Sequence, residues 1–109
     1  MMRRLLRRPG PFVLREQVAA CYLRGDGIEV GALNASLRVP DGVRVRYVDC
    51  AAPDVLRGAG YGDVSAIKAP DVVAGLETLD GIDDRSVDFV IANHVVEHLE
   101  NPLRAFATI

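Results

Sequence analysis

Apolar residues come in blocks along this chain, separated by turn-forming residues, and the spacing inside each block predicts an element. Between Pro11 and Gly25, the residues Val13, Val18, Ala19, Cys21, Tyr22 and Leu23 recur at nearly helical spacing, which predicts one amphipathic helix over 14–24. Gly25-Asp26-Gly27 breaks it, and Ile28, Glu29 and Val30 read as a short strand ending at Gly31. After Asp41-Gly42, the β-branched and aromatic residues Val43, Val45, Tyr47 and Val48 predict a second strand that runs up to Asp49. From Cys50 to Ala69 the pattern is mixed, with a short helix over 51–56 and loop around Gly58, Gly60 and Gly62. A third strand is expected over 71–74, followed by turns through Asp80-Gly81 and Asp83-Asp84. The last apolar run, 87–92, is interrupted only by Asp88 and suits a parallel strand covered on both faces. Asn101 and Pro102 then open a terminal helix, by the preferences of those residues for the N-cap and first-turn positions.

Strands separated by helix or long loop predict an α/β fold with a mainly parallel sheet, not a meander. In such sheets ligands sit beyond the carboxyl ends of the strands, so the chemistry is to be sought just after each apolar run. Composition sets the scale: 109 residues, 50% of them apolar and 26% charged, make one globular domain with a modest core. A net charge of -2 lacks the basic footprint by which nucleic-acid binders displace counterions, so nucleic acid is not an expected partner. The one basic cluster, Arg3, Arg4, Arg7 and Arg8 around Leu5 and Leu6, reads as a solvated tail over 1–12. No apolar run follows it as a secretory signal requires, and none approaches the roughly 20 residues of a membrane span. Cys21 and Cys50 have no CxxC partner and are expected to be free, buried thiols in a reducing cytoplasm.

Read in order, the strand ends are Gly31-Ala32-Leu33-Asn34, Asp49 and Asn93-His94. The segments 27–33, 47–49 and 88–98, three in the right order and spacing, resemble class I S-adenosylmethionine-dependent methyltransferases, in the branch with a short loop after the first strand. The resemblance covers residues 25 to 109. It implies a partial Rossmann-like, doubly wound sheet of about four strands in the order 3-2-1-4, an incomplete cofactor-binding domain over 13–109, and S-adenosylmethionine as cofactor. Gly31, with no β-carbon, allows a sharp turn and lets the backbone of Gly31 and Ala32 approach the cofactor. Glu29 is a carboxylate within an apolar strand, where burial is costly unless a cation or donor meets it. The ammonium of the cofactor's methionine portion is such a group, and exposure of Glu29 on an uncovered face is the alternative. Asp49 follows Gly31 near the roughly 20-residue offset at which an acid accepts hydrogen bonds from ribose hydroxyls, and an aspartate that merely ends the strand is the alternative. Asn93 resembles the position whose backbone borders the methionine moiety near the reactive methyl, and a simple turn residue is the alternative.

Two departures qualify the resemblance. Between Gly31 and Val43 the further glycines of a Gly-x-Gly-x-x-Gly are missing, and Pro40 with Asp41-Gly42 leaves no room for a full crossover helix. That disfavours NAD and FAD, whose pyrophosphate wants a helix N-terminus. After strand three, Ala74-Gly75 stands where many relatives carry an acid or amide beside the adenine. Other readings compete. His94-Val-Val-Glu97-His98 matches H-x-x-E-H, a helical spacing used for zinc hydrolysis, but its third ligand would have to come from a later helix and its flanks read as strand end and helix start, so no bound metal is expected. Otherwise the two histidines pack and hydrogen-bond, or border the acceptor pocket, where one acts as a base. A non-catalytic binding or interaction module is a further alternative. Finally, strand 87–92 would lack a neighbour on its outer side, so self-association or a partner chain is expected there.

Overall fold

The computed structural model describes residues 14–52, 54–55 and 67–109. The expected basic tail over 1–12, the glycine loop at 58–62, and residues 53 and 56 of the helix expected over 51–56 lie outside the described residues.

Helix α1, Arg15–Tyr22, is shorter than the periodicity suggests. Gln17 Oε1 accepts from the Leu14 N–H at 3.0 Å at its start, and Gly25 just beyond its end takes the left-handed conformation, φ +79°. The expected amphipathic pattern does not orient the helix inward. Ala19 is its buried residue, while Leu14, Val18 and Tyr22 all face outward. Four strands follow: β1, Asp26–Val30; β2, Arg44–Asp49; β3, Val72–Val73; and β4, Phe89–Ile91. They form one parallel sheet in the order β3-β2-β1-β4. This is the 3-2-1-4 arrangement of a Rossmann-like α/β fold, and the strands occur where the apolar runs placed them, with β3 and β4 shorter. Helix α2, Pro102–Thr108, has Pro102 in its first turn and Asn101 as its cap, with Asn101 Oδ1 accepting from the Arg104 N–H at 3.1 Å.

The period of two along each strand divides the core between the two faces of the sheet. Ile28, Val30, Val48 and the partly buried Val90 point to one face, where Ala74, Leu76, Leu79 and Ala105 of α2 cover them. Phe89 and Ile91 point to the other, where they meet Ala19 and Leu23 at the α1 end and Leu37 and Val39 from the connection after β1. That connection, residues 31–43, contains no helix, as its sequence suggests. Leu37 and Val39 therefore cover the second face in place of a crossover helix. The close pairing of β1 with β4 depends on Gly27. A β-carbon there would fall 2.1 Å from the Phe89 ring, which lies across the glycine.

Candidate cofactor site at the carboxyl ends of the strands

The register brings the ends of three strands together. Glu29 pairs with Tyr47 on β2 and with Ile91 on β4, so Gly31, Asp49 and Asn93 all lie two residues beyond one cross-sheet row. The Gly31 N–H donates to Val48 O at 2.9 Å, which extends the β1–β2 ladder one step past β1. There the chain turns: Gly31 has φ +66°, a conformation that costs a side-chain-bearing residue about 1–2 kcal/mol. A β-carbon on it would lie 3.0 Å from Val95 Cγ2. The turns after β1 and β4 thus approach each other at Gly31, and Ala32 beside it is buried.

Asp49 is 8% exposed. Its Oδ1 accepts from the Cys50 N–H at 2.8 Å, and its backbone carbonyl accepts from Ala74 N. The side chain is therefore held at the mouth of the sheet, with one oxygen engaged by its own turn. Asn93 follows β4 and precedes His94, which sits in the left-handed region at φ +54°. The Asn93 side-chain nitrogen, Nδ2, is buried and has no hydrogen-bond partner among the described residues. A buried donor costs free energy unless something outside those residues completes it.

Glu29 is where the structure adds most to the sequence reading. It is 2% exposed, so the alternative of a solvent-facing carboxylate is ruled out. Both its oxygens accept from the Leu37 N–H, each at 3.1 Å. Burial pushes its pKa above the usual carboxylate range, opposed by the hydrogen bond from Leu37 and by the charges of Arg15 and Lys68. Nothing in the sequence pattern marks Leu37 as the donor, because it lies in an irregular segment. The same holds for Lys68, whose N–H donates to Leu33 O at 2.8 Å and pins the loop from the far side.

One expectation needs correction. Cys21 and Cys50 are free but exposed, not buried; α1 turns Cys21 outward, and Cys50 leaves the sheet just past Asp49. Desolvation and the Asp49 carboxylate raise the Cys50 thiol pKa, which keeps it protonated and poorly nucleophilic. The H-x-x-E-H segment, whose flanks read in the sequence as a strand end and a helix start, is not an α-helix. Residues Val96–His98 form a 3-10 turn, in which positions three apart eclipse, and His94 Nδ1 meets Glu97 Oε1 at 3.3 Å. The α-helical frame that sets both histidines of that motif on one metal is missing. Among the described residues no three His, Cys, Asp or Glu side chains converge as a metal set, and no helix is long and apolar enough to cross a membrane.

Comparison with known families adds one finding. A family model described as a methyltransferase domain matches residues 25–109, from the turn before β1 to the end of α2. No curated protein and no solved structure matches the chain.

Proposed function

Because the chain belongs to the class I methyltransferase-domain family, we propose that it binds S-adenosylmethionine across the carboxyl ends of β1, β2 and β4 and supplies the cofactor half of a methyl-transfer site. One observation carries the reading: a left-handed glycine, a buried aspartate and an orphaned buried amide donor stand at one level at adjoining strand ends. The residues present fit the group. Gly31 turns in the left-handed region, and the methionine portion would lie against the backbone of Gly31 and Ala32 at that turn. Asp49 would accept from the ribose hydroxyls, which a carboxylate can take two at a time. Asn93 would border the methionine moiety, and its Nδ2 would find there the acceptor it lacks among the described residues.

When bound, S-adenosylmethionine supplies an electrophilic methyl group on a sulfonium, and the protein's part is to hold the cofactor in one orientation toward an acceptor. The side chains described here are suited to that part. None of Gly31, Ala32, Asp49 and Asn93 has to move a proton. The absence of a helix after Gly31 fits a ligand without phosphate, since no pyrophosphate has to be met by helix N–H groups.

Calorimetric titration with S-adenosylhomocysteine tests the reading. One site per chain is expected, and Asp49→Ala should weaken binding by roughly 1.5–3 kcal/mol, or about ten- to a hundredfold, because hydrogen bonds to a charged acceptor are lost. No heat of binding with the folded wild-type chain would sink the proposal. An unchanged affinity in Asp49→Ala would remove Asp49 from the site. Binding without methyl release to any acceptor would leave the chain as a cofactor-binding module.

A further inference from the structure

We propose that Glu29 is a positioning residue: it acts through the backbone N–H of Leu37 to hold the 31–37 loop in the shape against which the cofactor binds, and it does not touch the cofactor itself. The inference deepens the cofactor reading above and rests on it.

Access is the first argument. With no ligand present Glu29 is already 2% exposed, so a ligand atom laid over the strand ends could reach the carboxylate only by displacing the loop above it. Geometry is the second. The Leu37 N–H sits equidistant from the two oxygens at 3.1 Å, so the carboxylate closes on it symmetrically as a tie between β1 and a point eight residues further on. Third, Leu37 is fixed twice, by this hydrogen bond and by packing of its buried side chain with Ala19 and Ile91. The rest of the loop is held by Gly31 N to Val48 O, Ala35 N to Ala32 O and Lys68 N to Leu33 O. Glu29 provides the anchor at the far end. In a connection with no crossover helix, a buried side chain supplies the order that helix hydrogen bonds would otherwise give. A buried carboxylate with one donor among the described residues tolerates loss of that donor poorly, which couples the loop's position to strand β1.

The experiment combines amide hydrogen exchange and NMR on the ligand-free chain with S-adenosylhomocysteine titration, for wild type, Glu29→Gln and Glu29→Ala. In the wild type the Leu37 amide should exchange slowly, and its resonance should follow the titration of Glu29. Glu29→Gln retains an acceptor for the Leu37 N–H, so the amide should stay protected and the affinity should fall by no more than about threefold, within the net worth of one ordinary hydrogen bond. Glu29→Ala should speed exchange at Leu37 and weaken binding by roughly tenfold or more. The proposal is overturned if Glu29→Gln keeps Leu37 protected yet loses as much affinity as Glu29→Ala, because the charge itself would then meet the cofactor. It is also overturned if Leu37 exchanges freely in the wild type. Should Glu29→Ala fail to fold, the Gln variant and the wild-type exchange decide the matter. A protected Leu37 in a chain that binds no S-adenosylhomocysteine would remove the cofactor reading and leave the tie between β1 and the loop standing.

Discussion

Glu29, the buried carboxylate of β1, gives the chain a pH dependence whose sign can be worked out. Burial raises the pKa of Glu29 above its ordinary value of 4.5; the Leu37 N–H, Arg15 and Lys68 pull the other way without cancelling it. Between 4.5 and the raised value the folded chain holds a proton that the unfolded chain has released. Stability from this group is therefore fully present below the unfolded pKa and is lost as pH rises through the folded one. Thermal unfolding followed upward from that acid range should show a falling Tm, and Glu29→Gln should flatten the fall. An identical slope in the variant would show that other groups set it. Asp26 does not mimic the effect: its hydrogen bond to Arg44 lowers its pKa, so its contribution grows with rising pH and lies at lower pH.

At the scale of elements, the joint between β1 and β4 is the most demanding contact. Gly27 pairs with Phe89, and the ring occupies the space a β-carbon would need. Gly27→Ala should force the ring out of place and destabilise the fold by about 1–3 kcal/mol, the usual cost of overpacking. A smaller side chain at 89 should return part of it, so a double-mutant cycle of Gly27→Ala with Phe89→Leu should show favourable coupling. Additive effects would mean that the two positions do not meet. The strand pattern was readable because a strand covered on both faces needs a continuous apolar run, as in 87–92, and because Asp41-Gly42 punctuates the approach to β2. Helix α1 was harder. Its periodicity announced a helix, but Leu14, Val18 and Tyr22 form an outward stripe, since the sheet face available to α1 is shared with Leu37, Val39 and Phe89 and takes only a small residue, Ala19.

For the molecule as a whole, the asymmetry of the sheet matters most. β1 has neighbours on both sides, whereas β4 pairs only with β1 among the described residues. Beside β4 lies an open groove of about 730 Å3, lined by Leu79, Ile82, Val87, Phe89, Val90 and Ile109 among others. Leu103, Phe106 and Ile109 add exposed apolar surface on and just after α2. Unpaired edge strands template pairing with other chains, and neither Pro nor Lys interrupts 87–92. We expect the 109-residue chain to self-associate, with its mass by light scattering rising with concentration and the 89–91 amides exchanging more slowly as it does. A monomer at high concentration would count against this expectation.

What the sequence determined by itself was local: the strands, the turn residues that close them, the N-cap of α2, and the acids and amide left at the strand ends. These follow from steric and periodic rules that act within a few residues, so they are legible one segment at a time. The tertiary structure alone decided what those residues meet. That Glu29 meets the Leu37 N–H, that the Asn93 amide has no partner among the described residues, and which way Cys21 and Tyr22 face all depend on segments brought together by the register of the sheet. Likewise His94 to His98 carry a helical spacing, but the chain leaves β4 through a left-handed residue into a 3-10 turn. Periodicity reports that a face must be buried; the packing of distant residues decides against what.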